Sequence, residues 1–312
     1  MKAIILKHSA ETNILEAANL PVPAIKADEV LIKVIAIAIN PVDSKTLRGK
    51  GQYERIKNDE PVILGWDVSG EVIETGAEVS QFKTGDEVFG MINFPGHGKT
   101  YAEFVAAPAQ HLALKPSSIS HEEAVATALS ALTAYQALHR INIKPGDRVF
   151  IQGAAGGVGY FAVQIAHHLG AYVIGTAKTE DKELLEKAGL NELIDYKTTA
   201  FEKATDHIDI ALDTLGGENA IKALSILKPE GHLITLPSGA GEEWKPVAQE
   251  KGIHAEHYSV HSSGEDMQVL ADWLAKGIIR PNIAHRFRWE DIIHIHELML
   301  AGKISGKIIV SL

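Results

Sequence analysis

The 312-residue sequence contains no cysteine. That excludes disulfides and every thiolate metal site, and it agrees with a reducing compartment. No run of Lys and Arg occurs, and the formal net charge is −10. Nucleic acid and anionic membrane surfaces are gripped without sequence preference by clustered positive charge, so neither is expected as a partner. No stretch of about 18 apolar residues is present, so no membrane-spanning helix is expected. The apolar start at residues 1–6 is too short for a signal peptide, and the expected location is the cytoplasm. Internal repeats and low-complexity segments are also missing. What is present, 46% hydrophobic and 22% charged residues, is ordinary for a globular enzyme with room for two cores.

Residues 1–117 read as a small barrel-like β domain. Short β-branched runs at 3–7, 29–39, 70–75, 86–91 and 102–106 are separated by Pro or Gly turns such as Pro21-Val22-Pro23 and Thr84-Gly85-Asp86. After Pro116-Ser117-Ser118 the Ala-rich stretch 121–140 reads as a helix, with Ser120 as N-cap and Glu122 and Glu123 in its first turn. Strands and helices then alternate to about residue 282, which predicts a doubly wound parallel sheet. The last residues break the alternation, with strands at 285–289 and 307–310 about a helix at 291–301. The expected division is therefore 1–117 together with 283–312, and 118–282.

The alternation opens at residues 148–159, Arg-Val-Phe-Ile-Gln-Gly-Ala-Ala-Gly-Gly-Val-Gly. An apolar strand runs into small residues, then into Val158, Phe161, Ala162, Ile165 and Ala166 at helical spacing. Such a turn aims backbone N–H groups and the helix dipole at a pyrophosphate, and glycine removes the Cβ that would block its approach. Ala155, Gly156, Gly157, Val158 and Gly159 are the candidate contacts. A plain structural turn is the alternative, and the βαβ setting favours the dinucleotide. The second strand ends Gly175-Thr176-Ala177, without the acid that holds a ribose 2′-OH, and is followed by Lys178 and Lys182. Acid absent and base present favour a 2′-phosphate. The alternative is a pair of solvated lysines, diluted by Glu180 and Asp181.

Fifteen histidines include the close pairs His167/His168, His254/His257 and His294/His296. Neighbours one or two apart on a helix do not share a face, and no third ligand or carboxylate cluster accompanies His254 and His257, so no metal site is expected. His97, between two glycines, reads as a pocket-rim residue.

Taken together, the motifs resemble the medium-chain dehydrogenase/reductase superfamily, in its zinc-independent branch of quinone oxidoreductases, ζ-crystallin-like proteins and enoyl or alkenal reductases. They are Asn40-Pro41-Val42-Asp43, Gly65-Trp66-Asp67-Val68-Ser69-Gly70-Glu71-Val72, Gly85-Asp86-Glu87-Val88-Phe89-Gly90, Tyr101-Ala102-Glu103-Phe104-Val105, Ala131-Leu132-Thr133-Ala134-Tyr135, the turn 154–159 and the closing 302–310. The resemblance implies a chaperonin-10-like β-barrel catalytic domain, a Rossmann domain, and a cofactor in the cleft between them. Where the zinc enzymes carry a Cys ligand and a Gly-His-Glu motif, this chain has Asn40 and Gly65-Trp66-Asp67. A carbonyl must then be polarised by hydrogen bonds or water, which suits quinones and enones.

The resemblance also implies NADPH as cofactor, with Tyr196 beside its 2′-phosphate, Thr133 near the nicotinamide end and Lys307 near the cofactor. A helix-packing role for Thr133 stays open. Asn40 is expected to turn its amide into the cleft, toward the ribose or the substrate carbonyl, and Tyr53 to donate a hydrogen bond to the substrate, a rim aromatic being the alternative at 53. The family's habit further implies a homodimer joined through strand 255–260. A non-catalytic, ζ-crystallin-like NADPH-binding protein, structural or RNA-associated, is the rival function, the net charge counting against RNA, and a zinc-free alcohol dehydrogenase a third.

Overall fold

The computed structural model describes residues 1–8, 13–237, 239 and 241–312. The chain divides into two compact units, one of residues 1–132 with 261–312, the other of 133–260.

In chain order the first unit contains strands β1 (Lys2–His8), β2 (Asn13–Asn19) and β3 (Glu29–Ile39), helices α1 (Pro41–Leu47) and α2 (Tyr53–Ile56), then β4 (Asp67–Thr75), β5 (Glu87–Met91), β6 (Phe104–Pro108) and β7 (Ala113–Leu114). Strand β3 is the hub. Its run Val30, Leu31, Ile32, Val34 and Ala36 to Ile39 is buried, because the strand pairs antiparallel with β4, with β6 and with a strand from the end of the chain. A strand covered on both faces reads as continuous apolar sequence instead of an alternating one. β1 and β2 form a separate antiparallel pair. The sequence reading missed β2, whose residues alternate between half-buried and exposed and include polar Asn13, Glu16 and Asn19.

Helix α3 (His121–Ile141) leads into the second unit, which holds β8 (Arg148–Ile151), α4 (Gly157–His168), β9 (Tyr172–Ala177), α5 (Lys182–Lys187), β10 (Glu192–Asp195), β11 (Ile208–Asp213), α6 (Glu218–Ala223), β12 (Leu227–Thr235), α7 (Trp244–Glu250) and β13 (His254–His257). Every strand pair here is parallel, in the order β10-β9-β8-β11-β12-β13. This is the doubly wound order, with its topological switch between β8 and β11. Phe150, Ile174, Ile208, Leu224, Leu233 and Trp244 share one buried cluster in this unit.

The chain then returns to the first unit with α8 (Gly264–Lys276), β14 (Ile283–Arg288), α9 (Ile292–Leu300) and β15 (Lys307–Ser311). Residues 261–282 thus group with the first unit, whereas the expected division put them in the other. The physical reason is a close packing of α8, whose Gly264 leaves no room for a Cβ, 2.6 Å from Gln110 O and 2.7 Å from Leu112 O. Ser263 caps α8 by accepting from Asp266 N, and Gly277 ends it in the left-handed conformation. β15 pairs antiparallel with β3 and parallel with β14, so the last strand of the chain lies beside the hub of the first unit.

Candidate active site

Two sites are built, one in each unit. In the first unit a set of polar side chains is almost wholly buried: Asn40, Asp43, Asp67, Tyr101, Ser130, His296 and Lys307. Backbone geometry assembles them. Asn40 is the N-cap of α1, in extended conformation, with Pro41 in the first turn where its missing N–H costs nothing. One turn later the Asp43 carboxylate accepts from Asn40 N at 2.6 Å. Asp67 opens β4 and Lys307 opens β15. The Lys307 Nζ donates to Asn40 Oδ1 at 2.9 Å, to Asp67 Oδ2 at 3.3 Å and to Ser130 Oγ at 3.3 Å. Asn40 Nδ2 donates to the same Asp67 oxygen at 2.9 Å, and Leu129 N donates to Asp67 Oδ1 at 3.0 Å.

A second chain of contacts adjoins it. The Tyr101 hydroxyl meets His296 Nε2 at 3.1 Å, and His296 Nδ1 meets Ser44 Oγ at 3.2 Å. Gly65, at φ +89°, makes room for Tyr101, whose ring atoms lie within 2.5–2.6 Å of where a Cβ would stand.

Burial governs the electrostatics. It pushes the Asp43 carboxyl up to about 8, against the hydrogen bond from Asn40 N, and it pushes His296 down to about 4. It also raises Asp67 and lowers Lys307, while the contact between them works against both shifts. Tyr101 lies well above the usual phenol range, again chiefly through burial. At neutral pH the set therefore holds one protonated carboxyl, Asp43, and one neutral imidazole, His296, beside the Lys307–Asp67 pair.

Zinc does not fit this donor set. Its sites are built from thiolate, imidazole and carboxylate ligands. Here the chain lacks Cys, and Asn40 offers an amide already bonded on both sides. Trp66 is a buried indole that donates to Gly96 O at 2.7 Å and meets Phe94 edge-on. Among the described residues no group of three or more His, Asp or Glu side chains is arranged to hold a metal. His97 is used structurally, its ring meeting Asp59 Oδ2 at 2.7 Å and the backbone of Ile63 at 2.9–3.0 Å.

In the second unit the turn after β8 fits a pyrophosphate. Gly153 has φ +66°, Gly156 is the extended N-cap of α4, and α4 begins at Gly157. The first-turn N–H groups, at Gly157, Val158 and Gly159, have no partner within a helix. A Cβ on Gly159 would stand 2.1 Å from Gly153 O, so only glycine lets helix and turn close this tightly. Neighbouring strand ends brace the turn: Gly153 N donates to Thr176 Oγ1 at 3.0 Å, and Thr214 Oγ1 donates to Gln152 O at 2.8 Å. Ala155, Gly156 and Val158 keep exposed surface at the turn.

The end of β9 is Ala177, and the nearest acid on the adjoining strand, Asp195, is already taken by Thr179 N, Thr179 Oγ1 and Lys197 N. Lys178 pairs with Glu180 at 3.0 Å and Lys182 with Glu186 at 3.7 Å, both on the surface. Tyr196, 56% exposed, follows β10, and its N–H donates to Ala177 O. Thr133 is buried within α3.

Of the residues singled out from sequence, Asn40 and Lys307 are thus brought into direct contact, and Lys178 and Tyr196 flank the same strand end. Tyr53 does not join the buried set. It lies half-buried at the start of α2, its hydroxyl 3.5 Å from His8 Nδ1. Sequence reasoning missed Asp67, Ser130, Tyr101 and His296 as site residues. The available signals were a polar residue inside an Ala-rich helix and a histidine on the apolar face of α9.

The comparisons agree with this architecture. Residues 26–117 match the alcohol dehydrogenase GroES-like domain and residues 188–310 the zinc-binding dehydrogenase family. A 2-methylene-furan-3-one reductase from Solanum lycopersicum is 33% identical over 302 residues, covering 94% of this chain and 74% of its own. An NADPH-dependent alkenal/one oxidoreductase from Arabidopsis thaliana, chloroplastic, is 30% identical, covering 99% of this chain and 79% of its own. The solved structure of a quinone oxidoreductase from Coxiella burnetii superposes with a TM-score of 0.93 at 32% identity, covering 100% and 99% of the two chains. With the parallel six-stranded sheet, the GroES-like unit and full-length relatives in hand, the chain belongs to the medium-chain dehydrogenase/reductase superfamily, in its branch of quinone oxidoreductases and alkenal/one reductases.

Proposed function

We propose that the protein is an NADPH-dependent, zinc-independent reductase of quinones or α,β-unsaturated carbonyls. The observation that carries this reading is a dinucleotide turn at the end of β8, beside a strand end without an acid, in a chain whose buried cluster has no place for zinc. Bound NADPH supplies the hydride. The protein's own residues supply the rest: the turn 155–159 holds the pyrophosphate, Lys178, Lys182 and Tyr196 face the 2′-phosphate, and Thr133 lies toward the nicotinamide.

Quinones and enones suit such a site because their acceptor atom is electrophilic without a Lewis acid. Asn40 holds the entry to α1 in place, and Tyr53 donates a hydrogen bond to the oxygen on which negative charge develops. The proton that completes reduction comes from water. The protein works as a homodimer in the cytoplasm. No helix among the described residues is long and apolar enough to cross a membrane.

The test is NADPH oxidation against a panel of p-quinones, 2-alkenals and enoyl thioesters, with and without chelator. Turnover with the first two classes that survives chelation is expected. Tight NADPH binding without turnover on any of them would overturn the proposal in favour of a non-catalytic role.

A further inference from the structure

The Lys307 ammonium is surrounded as a metal ion would be. Its three acceptors come from the N-cap of α1, the first residue of β4 and the interior of α3, lying 267, 240 and 177 residues earlier in the chain. An ammonium has three N–H donors, and here each has an acceptor. The Lys307 side chain is 5% exposed and that of Asp67 0%. No donor is left over for a cofactor oxygen.

The position matters as much as the saturation. Asn40 is the N-cap of α1 and Asp67 the first residue of β4, so the ammonium ties the entry of that helix to the start of a sheet strand. We infer that Lys307 is the internal cation of this centre: its ammonium, with Asp67 as counter-ion, takes the organising place of a metal by orienting Asn40 and the start of α1. Lys307 and Asp67 are on this account positioning residues, acting through Asn40 and not by touching cofactor or substrate. The activity readout rests on the reductase proposal, whereas the orientation of Asn40 does not.

A buried ion pair by itself is a poor source of stability, since removing both charges is often neutral while removing one is harmful. That difference makes the inference testable. Lys307→Met keeps the aliphatic stem and removes the charge; Lys307→Met with Asp67→Leu removes both. The single variant is expected to lose melting temperature and turnover. The double variant is expected to regain most of the melting temperature, to keep its NADPH Kd within about threefold of wild type, and to remain at least tenfold down in kcat with little change in KM. Ser130→Ala, which deletes one acceptor and spares the ion pair, is expected to lower kcat a few-fold at unchanged melting temperature.

The second readout is the Asn40 side-chain amide by nitrogen-15 NMR. Its hydrogens should exchange slowly in wild type and rapidly in the double variant. Wild-type kcat in the double and Ser130→Ala variants would reduce the cluster to a structural staple and overturn the inference. An NADPH Kd raised tenfold or more, at wild-type kcat, would overturn it in favour of direct cofactor contact. An unchanged Asn40 amide in the double variant would overturn it whatever the activity. A wild-type protein that binds NADPH without reducing any substrate would sink the reductase proposal alone, leaving the NMR result to decide this one.

Discussion

Tyr101 and His296 come from the two separate sequence segments of the first unit, 195 residues apart, and their hydroxyl and Nε2 lie 3.1 Å from one another in a fully buried position. Asp43 adjoins the same hydroxyl, and Ser44 closes the other side of the imidazole at 3.2 Å. Two titratable groups, Asp43 and His296, are therefore held in their neutral forms by burial.

Their effects on stability have opposite signs. The native pKa of Asp43, raised to about 8, lies above the unfolded value, so its contribution is full below the ordinary carboxylate range and is lost as pH rises to about 8. His296, lowered to about 4, binds its proton more readily when unfolded, so stability is lost as pH falls from the ordinary imidazole range to about 4. Each proton contributes a slope of up to roughly 1.4 kcal/mol per pH unit. Between about pH 4 and the imidazole range the two slopes cancel, and from there to about pH 8 the Asp43 slope stands alone. Asp43→Asn, which mimics the protonated acid, should flatten the decline in melting temperature toward pH 8; a decline of wild-type steepness in the variant would refute the assignment.

Preference for NADPH over NADH is expected at the end of β9. A charge-assisted phosphate contact contributes on the order of 1.5–3 kcal/mol, or about tenfold or more in affinity. Titration of both cofactors against wild type and the Lys178→Ala, Lys182→Ala double variant measures it. Equal Kd values in wild type, or an unchanged NADPH Kd in the variant, would count against the preference.

Tyr53→Phe separates the two substrate classes. A quinone accepts hydride readily and takes its proton from water, so its turnover should change less than about threefold. An enone builds charge on one oxygen, and losing a preorganised donor there costs about 2.7–4 kcal/mol, or a hundredfold or more. Steady-state kinetics with both substrates decides. If neither changes, the contact between Tyr53 and His8 keeps the hydroxyl away from the reaction.

β13 is one of the two edge strands of the six-stranded sheet, and an unpaired edge is a template for a second copy. Tyr258 N already donates to Thr235 O, so by the twofold alternation of a strand the N–H of His257 faces outward. His257→Pro should convert a homodimer of about 67 kDa into a monomer without unfolding the sheet, as read by light scattering. A wild-type protein that scatters as a monomer at micromolar concentration would end the proposal.

The sequence alone determined the features whose causes are local. The glycine turn at 153–159, the alternation of strands and helices around it, the Ala-rich helix after Ser120 and the continuous apolar run of β3 follow from residue spacing and backbone preference over a few residues. The absence of Cys likewise excluded disulfides and every thiolate metal site before any geometry was known.

Only the tertiary structure decided what the polar residues of those motifs do. Asn40 was legible as a candidate, but the inward commitment of its amide depends on Lys307 arriving from the last strand. His296 read as half of a close pair with His294 until α9 buried it against Tyr101 and Ser44. Residues 261–282 read as a continuation of the α/β series until the close packing of Gly264 joined them to the first unit. In each case the partner lies far away in sequence, and a contact across such a separation leaves no local pattern to read; it exists because burial makes an unpaired amide, imidazole or ammonium costly, so the folded chain brings each one a partner.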